Sequence, residues 1–229
     1  MCEEGKVSNK ARKKKTVAKN DLVNLSKLGF RDYVAARHLL LEGFLFQGLI
    51  LSSTSVEKYV KANIGLNVGT ISHLHLDKVS LLKNEAENAG LDFFSDLDDR
   101  YLELLSVAYR FRYYDDLEDF SCIGFFKWQA VGELDFTVDY IDKVFSEKSG
   151  VETLYAKAVE ASDEVVLRDN YLLNGLNKKS YMERPSEPYF LGLWNDGEEV
   201  SMKGGLMSPK YNGEVCTVKS FDVKCSERN

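Results

Sequence analysis

The sequence predicts a mainly α protein, an up-and-down bundle of five helices followed by a small C-terminal β appendage. Three observations carry that reading. All three prolines, Pro185, Pro188 and Pro209, fall in the last 45 of the 229 residues, so the earlier chain lacks the residue that most disrupts helices. Apolar side chains in that earlier chain recur every three or four positions, the period of a helix with one buried face. Beyond about residue 174 the period gives way to turn residues and short apolar runs.

Taken in order, residues 1–20 form a basic, flexible arm and residues 21–149 the bundle. The first helix spans about 32–44, with Tyr33, Ala36, Leu40 and Phe44 on one stripe. The second spans about 45–66 and aligns Leu49, Ser53, Val56, Val60 and Ile64. Ser72 is the expected N-cap of the third, whose stripe is Leu76, Val79, Leu82, Ala86 and Ala89 before Gly90 stops it. Ser95 is the expected cap of the fourth, which turns Leu97, Tyr101, Leu104, Leu105 and Ala108 inward. The fifth, about 125–146, presents Trp128, Val131, Leu134, Val138, Ile141 and Phe145. Residues 150–173 read as one connecting helix. In the appendage, 174–229, the apolar run 188–194 precedes Asn195-Asp196-Gly197, a hairpin turn signal, and Asn212-Gly213 precedes a strand over 214–225. About 55 residues is near the lower limit for an independently stable unit, so the appendage is expected to lean on the bundle or a partner.

Composition narrows the function classes. Hydrophobic residues at 44% and charged residues at 29% suit a globular protein. No apolar run approaches the roughly 20 residues of a membrane span, and the basic N-terminus lacks the apolar core of a secretory signal. Cys2, Cys122, Cys216 and Cys225 are scattered, which argues against a disulfide framework or a zinc site and favours the cytoplasm. No Gly-rich phosphate loop, G-x-S-x-G elbow or H-E-x-x-H pair occurs, so no cofactor or metal is expected. The net charge of −6 is uneven. Residues 1–20 balance at +5, through Lys6, Lys10, Arg12, Lys13, Lys14, Lys15 and Lys19 against Glu3 and Glu4, which leaves −11 for the rest. So acidic a body repels polyanions over about a Debye length. Nucleic-acid affinity would have to come from a local patch or from the arm, whose Lys10, Arg12, Lys13, Lys14 and Lys15 either form a solvated segment or touch nucleic acid or an acidic partner.

Four features come in an order that resembles a known family. The second helix carries Ser53-Thr54-Ser55-Val56-Glu57-Lys58-Tyr59-Val60-Lys61-Ala62, similar to the pattern A-x-E-K-x-x-K-A. The third opens on His73-Leu74-His75-Leu76-Asp77. The fourth ends on Tyr109-Arg110-Phe111-Arg112-Tyr113-Tyr114-Asp115, similar to Y-x-x-R-Y-P-D, and a long helix closes the set. Over about residues 28–148 the chain resembles the HEPN domains (higher eukaryotes and prokaryotes nucleotide-binding). The resemblance implies a helical bundle, a homodimer, and a partner protein encoded nearby, such as a nucleotidyltransferase, in a toxin–antitoxin or antiviral-defence system. Many members are metal-independent ribonucleases with an R-x(4–6)-H motif. This chain departs from it: Asp115, Asp116 and Leu117 stand at those positions after Arg110, Leu117, Glu118 and Asp119 after Arg112, and no histidine follows His75. An ordinary aspartate cannot donate a proton at neutral pH as histidine can, and the acidic run repels a phosphodiester. Arg31 and His38 match the spacing, but in the first helix, where the family has no such site.

Two functional expectations result. The first is a non-catalytic module that dimerises and binds a partner protein, nucleotide or RNA through Glu57, Lys61, Tyr109, Arg112 and Tyr113. The alternative is an atypical ribonuclease in which Arg112 and Arg110 hold the phosphate while Asp116, Tyr113 or a histidine from elsewhere moves the proton. Arg112 extends the inward stripe of the fourth helix, so it is either a phosphate anchor at a dimer seam or the ion-pair partner of Glu57, and the two are compatible. Arg110 faces outward. His73 and His75, two apart, cannot share a metal from one helix, and one of them is expected to bond a helix end.

Overall fold

The computed structural model describes residues 14–112, 120–195 and 200–206. The protein is mainly helical, with eight α-helices among the described residues. Short strand β1 (Lys14–Thr16) leads into α1 (Lys19–Leu41), which folds back along α2 (Leu45–Val68). Strand β2 (Thr70–Ser72) follows, then a 3-10 turn (Leu76–Lys78), α3 (Val79–Asn88), a second 3-10 turn (Phe93–Ser95) and α4 (Asp99–Arg110). After β3 (Phe120–Phe126) come α5 (Lys127–Ser149), α6 (Leu154–Glu160), α7 (Glu164–Leu167), α8 (Lys178–Met182), β4 (Pro188–Asn195) and β5 (Val200–Leu206). Among the described residues no helix is long and apolar enough to cross a membrane.

Helix α2 lies at the centre, against α1, α4 and α5. More than half of its residues are buried, with Leu49, Val56, Tyr59, Val60 and Ile64 in the core. Two glycines let α1 approach it closely. A Cβ on Gly48 would stand 2.7 Å from Leu40 Cγ and 2.9 Å from the Leu40 backbone nitrogen. One on Gly65 would stand 2.5 Å from Leu22 Cδ2. Asn63 ties α2 to α5 by donating from Nδ2 to the carbonyls of Tyr59 (3.0 Å) and Ile141 (3.3 Å).

Several elements depart from the sequence reading. Helix α1 starts at Lys19, and Lys14–Thr16 pair with β2, so residues 14–16 and 19–20 of the expected arm belong to a strand and a helix. Asp98, not Ser95, caps α4, its Oδ1 accepting from Tyr101 N at 2.8 Å. The expected cap Ser72 lies in β2, and its hydroxyl donates to Glu85 at 2.6 Å. The single connecting helix is two, because the chain turns at Ser162 with φ of 54°.

The largest difference concerns Phe125, expected to open the fifth helix. It lies in β3, which pairs antiparallel with β4, and β4 with β5, in a three-stranded sheet of order β3-β4-β5. The expected pairing across the Asn195-Asp196-Gly197 turn is present as Asn195↔Val200, and the turn itself lies outside the described residues. So does the strand expected over 214–225. The sheet therefore joins part of the appendage to the segment before α5.

Candidate functional site

Thr54, Glu57 and Lys61 are spaced three and four apart, which places them on one face of α2. Glu57 is buried on α2, and a carboxylate there needs donors. Oε1 accepts from Lys61 Nζ at 2.8 Å and lies 3.0 Å from His75 Nδ1, while Oε2 accepts from Leu76 N at 3.0 Å. A carboxylate acting as acceptor assigns the hydrogen to Nδ1 of His75. That leaves Nε2 to accept in the neutral ring or donate in the imidazolium. Of the three side chains, Glu57 and Lys61 are about one-tenth exposed and His75 is 50% exposed.

The other wall comes from the end of α4. The Tyr109 ring stacks on His75, with centroids 5.4 Å apart and planes at 25°. Arg112 follows the helix by one turn, and its Cζ lies 4.1 Å from the centre of the same tyrosine ring. Its Nη1 donates to Thr54 Oγ1 at 3.5 Å. A cation over an aromatic face is held there electrostatically.

The structure thus gathers Glu57, Lys61, Tyr109 and Arg112, separated by up to 55 residues, at one place. Arg112 is half-buried and does not take Glu57 as its ion-pair partner; among the described residues Glu57 pairs with Lys61 and His75. Arg110 is exposed. Lys14 and Lys15 lie in β1. Tyr113, Asp116, Lys10, Arg12 and Lys13 lie outside the described residues. One of His73 and His75 is expected to bond a helix end; His75 stands at the start of the 3-10 turn Leu76–Lys78, and its side chain bonds Glu57. The signal for it was weak, because its carboxylate stands 18 residues earlier on another element.

A second ionic cluster escaped the sequence reading altogether. Arg37 on α1 is 1% exposed. Its Nε donates to Asp135 Oδ1 of α5 at 2.7 Å, Nη1 to the Val165 carbonyl at 3.4 Å and Nη2 to the Arg168 carbonyl at 2.5 Å. Tyr33 Oη donates to the same Asp135 oxygen at 2.8 Å. Further along α5, Asp139 accepts from Tyr155 Oη at 3.1 Å and Asp142 from Thr153 Oγ1 at 2.5 Å. Burial raises the carboxyl of Asp135 to about 6 against the opposing pull of Arg37, and burial likewise raises Asp142 to about 6. This cluster fastens α6 and α7 to the bundle.

Among the described residues no group of three or more His, Cys, Asp or Glu side chains is arranged to hold a metal. Comparison with family models, with curated proteins and with solved structures finds no match for the chain.

Proposed function

We propose that the chain is an HEPN-like helical module that binds a phosphate-bearing ligand, RNA or nucleotide, as a homodimer within a prokaryotic antiviral-defence or toxin–antitoxin complex. One observation supports the binding reading above all: the Arg112 guanidinium and the His75 imidazole share the Tyr109 ring. That combination sets a planar cation, a group suited to phosphate, beside a half-exposed imidazole ring on which a base can stack. The family setting, the dimer and the partner protein rest on the sequence resemblance alone. The test is binding of a labelled short RNA and of a mononucleotide to the purified chain, with Arg112→Ala and His75→Ala beside it. The reading expects both variants to weaken binding at least tenfold with the fold retained. Equal binding by all three proteins would overturn it.

A metal-independent ribonuclease is the second reading, and the His75–Glu57 bond favours it. A carboxylate at Nδ1 orients an imidazole whose Nε2 can take the proton of an RNA 2′-hydroxyl, with Arg112 and Lys61 stabilising the charged phosphate. This reading expects RNA cleavage in the presence of chelator, a cyclic phosphate end, and loss of cleavage in His75→Ala. Intact RNA after prolonged incubation selects the non-catalytic reading.

A further inference from the structure

We propose that residues 153–169, which hold α6 and α7, form a strap that lifts from the bundle as a unit, and that it closes more tightly over a protonated Asp142 than over an ionised one. This device is independent of what the Glu57 cluster binds.

The strap is attached at few points. Its buried apolar side chains are Tyr155, Ala158 and Val166. Tyr155 stands edge-on to Phe30 and Tyr33 of α1, with centroids 6.3 and 5.9 Å away. The other ties are polar: Tyr155 Oη to Asp139, Thr153 Oγ1 to Asp142, Arg37 to the carbonyls of Val165 and Arg168, and an exposed Arg168–Glu42 pair at 2.9 Å. Segments that bury so little apolar surface open locally before the core does. The backbone marks where the piece moves. Among the described residues, Ser162 and Asp169 are the non-glycine positions with φ in the left-handed region, at 54° and 52°, and they bracket α7. Such a conformation persists only while its surroundings hold it, so lifting the strap relieves it. Past that point Asn170 is fully buried and donates to Tyr33 Oη at 3.4 Å, which anchors the chain that follows.

Asp142 couples the strap to protons through its place in the fold. It is buried, and its Oδ2 accepts from Thr153 Oγ1. That hydroxyl oxygen in turn accepts from Ala156 N at 3.0 Å and so caps α6. Oδ1 is buried without a hydrogen-bond partner. Facing Asp142 are Tyr59 of α2, Tyr155 of α6, and Asp139 and Lys143 of α5. The cation among these, Lys143, is exposed and bonds Asp139 at 2.7 Å. An ionised carboxylate so placed loses water from one oxygen with nothing in exchange, a cost the neutral acid largely escapes. Burial accordingly holds the Asp142 carboxyl at about 6. Lifting the strap returns it to water and to the ordinary value of 3.8. The open form then releases the proton first, so opening becomes easier as pH rises from about 4 through 6.

Hydrogen exchange of the full chain, read by mass spectrometry at pH 5 and 7.5 and corrected for the intrinsic rate at each pH, measures the opening. Residues 153–169 are expected to exchange faster than α2 at both pH values. Their protection should fall at least about tenfold between pH 5 and 7.5, the change for one group titrating near 6 closed and 3.8 open. In Asp142→Asn that fall should shrink about tenfold, leaving the share of Asp135 beneath Arg37. A strap that exchanges no faster than α2 is not a separate unit, and wild-type protection that stays level with pH removes the proton coupling. Either result overturns the proposal without recourse to the variant. A fall as steep in Asp142→Asn as in wild type overturns the role of Asp142.

Discussion

Asp135 on α5 and Glu57 on α2 are carboxylates of two central helices, each holding a basic side chain at 2.7 and 2.8 Å respectively and each close to a tyrosine-rich neighbourhood. Their surroundings differ. Around Asp135 the pair is sealed: Arg37 and Asp135 are 1% and 0% exposed, and two further donors of Arg37 reach the backbone carbonyls of Val165 and Arg168. Around Glu57 the seal is broken on one side, where His75 is half in solvent. Similar chemistry therefore does different work. Buried, the ion pair fixes how elements dock, and the loss of either partner strands a charge. At the edge, the same grouping can meet a ligand, because its exposed member keeps hydrogen-bonding capacity.

The comparison breaks most sharply at Arg37. Arg37→Ala leaves Asp135 buried without its counter-ion and is expected to cost about 3–5 kcal/mol in denaturant unfolding. Arg37→Met combined with Asp135→Leu is expected to recover most of that loss, since no charge is then stranded. A single variant as stable as wild type would mean that the cluster does not fasten the α6–α7 segment.

The next effect is on pH. Asp142 is buried and held near 6, above its unfolded value near 3.8, so the folded state binds its proton more tightly than the unfolded state does. That contribution is present in full below pH 3.8 and is lost as pH rises through 6, at most roughly 3 kcal/mol for this group. Asp135, also near 6, adds a loss in the same window. Asp142→Asn keeps an acceptor for Thr153 and removes one titration, so the fall in stability between pH 4 and 7 should shrink by about half. An unchanged slope assigns the pH dependence elsewhere.

Smaller effects sharpen the exposed side. Glu57→Ala removes the acceptor of Leu76 N and the partner of Lys61 and His75, and is expected to cost about 1–2 kcal/mol of stability. The larger consequence is weaker ligand binding, as His75 loses its orientation. Arg112→Ala removes a cation–π contact and a hydrogen bond and is expected to cost about 1 kcal/mol, read as an unfolding midpoint, while reducing RNA affinity at least tenfold. If Arg112→Ala destabilised the chain as much as Arg37→Ala, the contrast between the two clusters would collapse.

The helical character was legible in the sequence because amphipathic spacing is a local property. The stripes of α2, α4 and α5 sit in the core much as their periods predict. Glu57, Lys61, Tyr109 and Arg112 stood out for a similar reason, as polar residues interrupting or ending apolar stripes. Arg37 does so too, four residues after Tyr33 and three before Leu40, but no local pattern points to its partner on α5, 98 positions away. The acids of α5 gave the matching signal, since Asp135, Asp139 and Asp142 flank Leu134, Val138 and Ile141. β3 was illegible for another reason. A run of seven residues, mostly apolar, fits a buried strand or a helix end equally well until a partner strand is known.

That strand also sets a sequence of events. About sixty residues separate Phe126 from its partner Pro188, so β3 is translated well before β4 exists to cover it. While synthesis proceeds, the peptide groups of β3 have no β4 to bond, and Phe125, which later packs against Tyr189, lacks its neighbour. Such an edge invites pairing with other nascent chains. The helices can close early from contacts near in sequence, whereas the sheet must await the far end of the message, which makes it the slow and aggregation-exposed step of biogenesis.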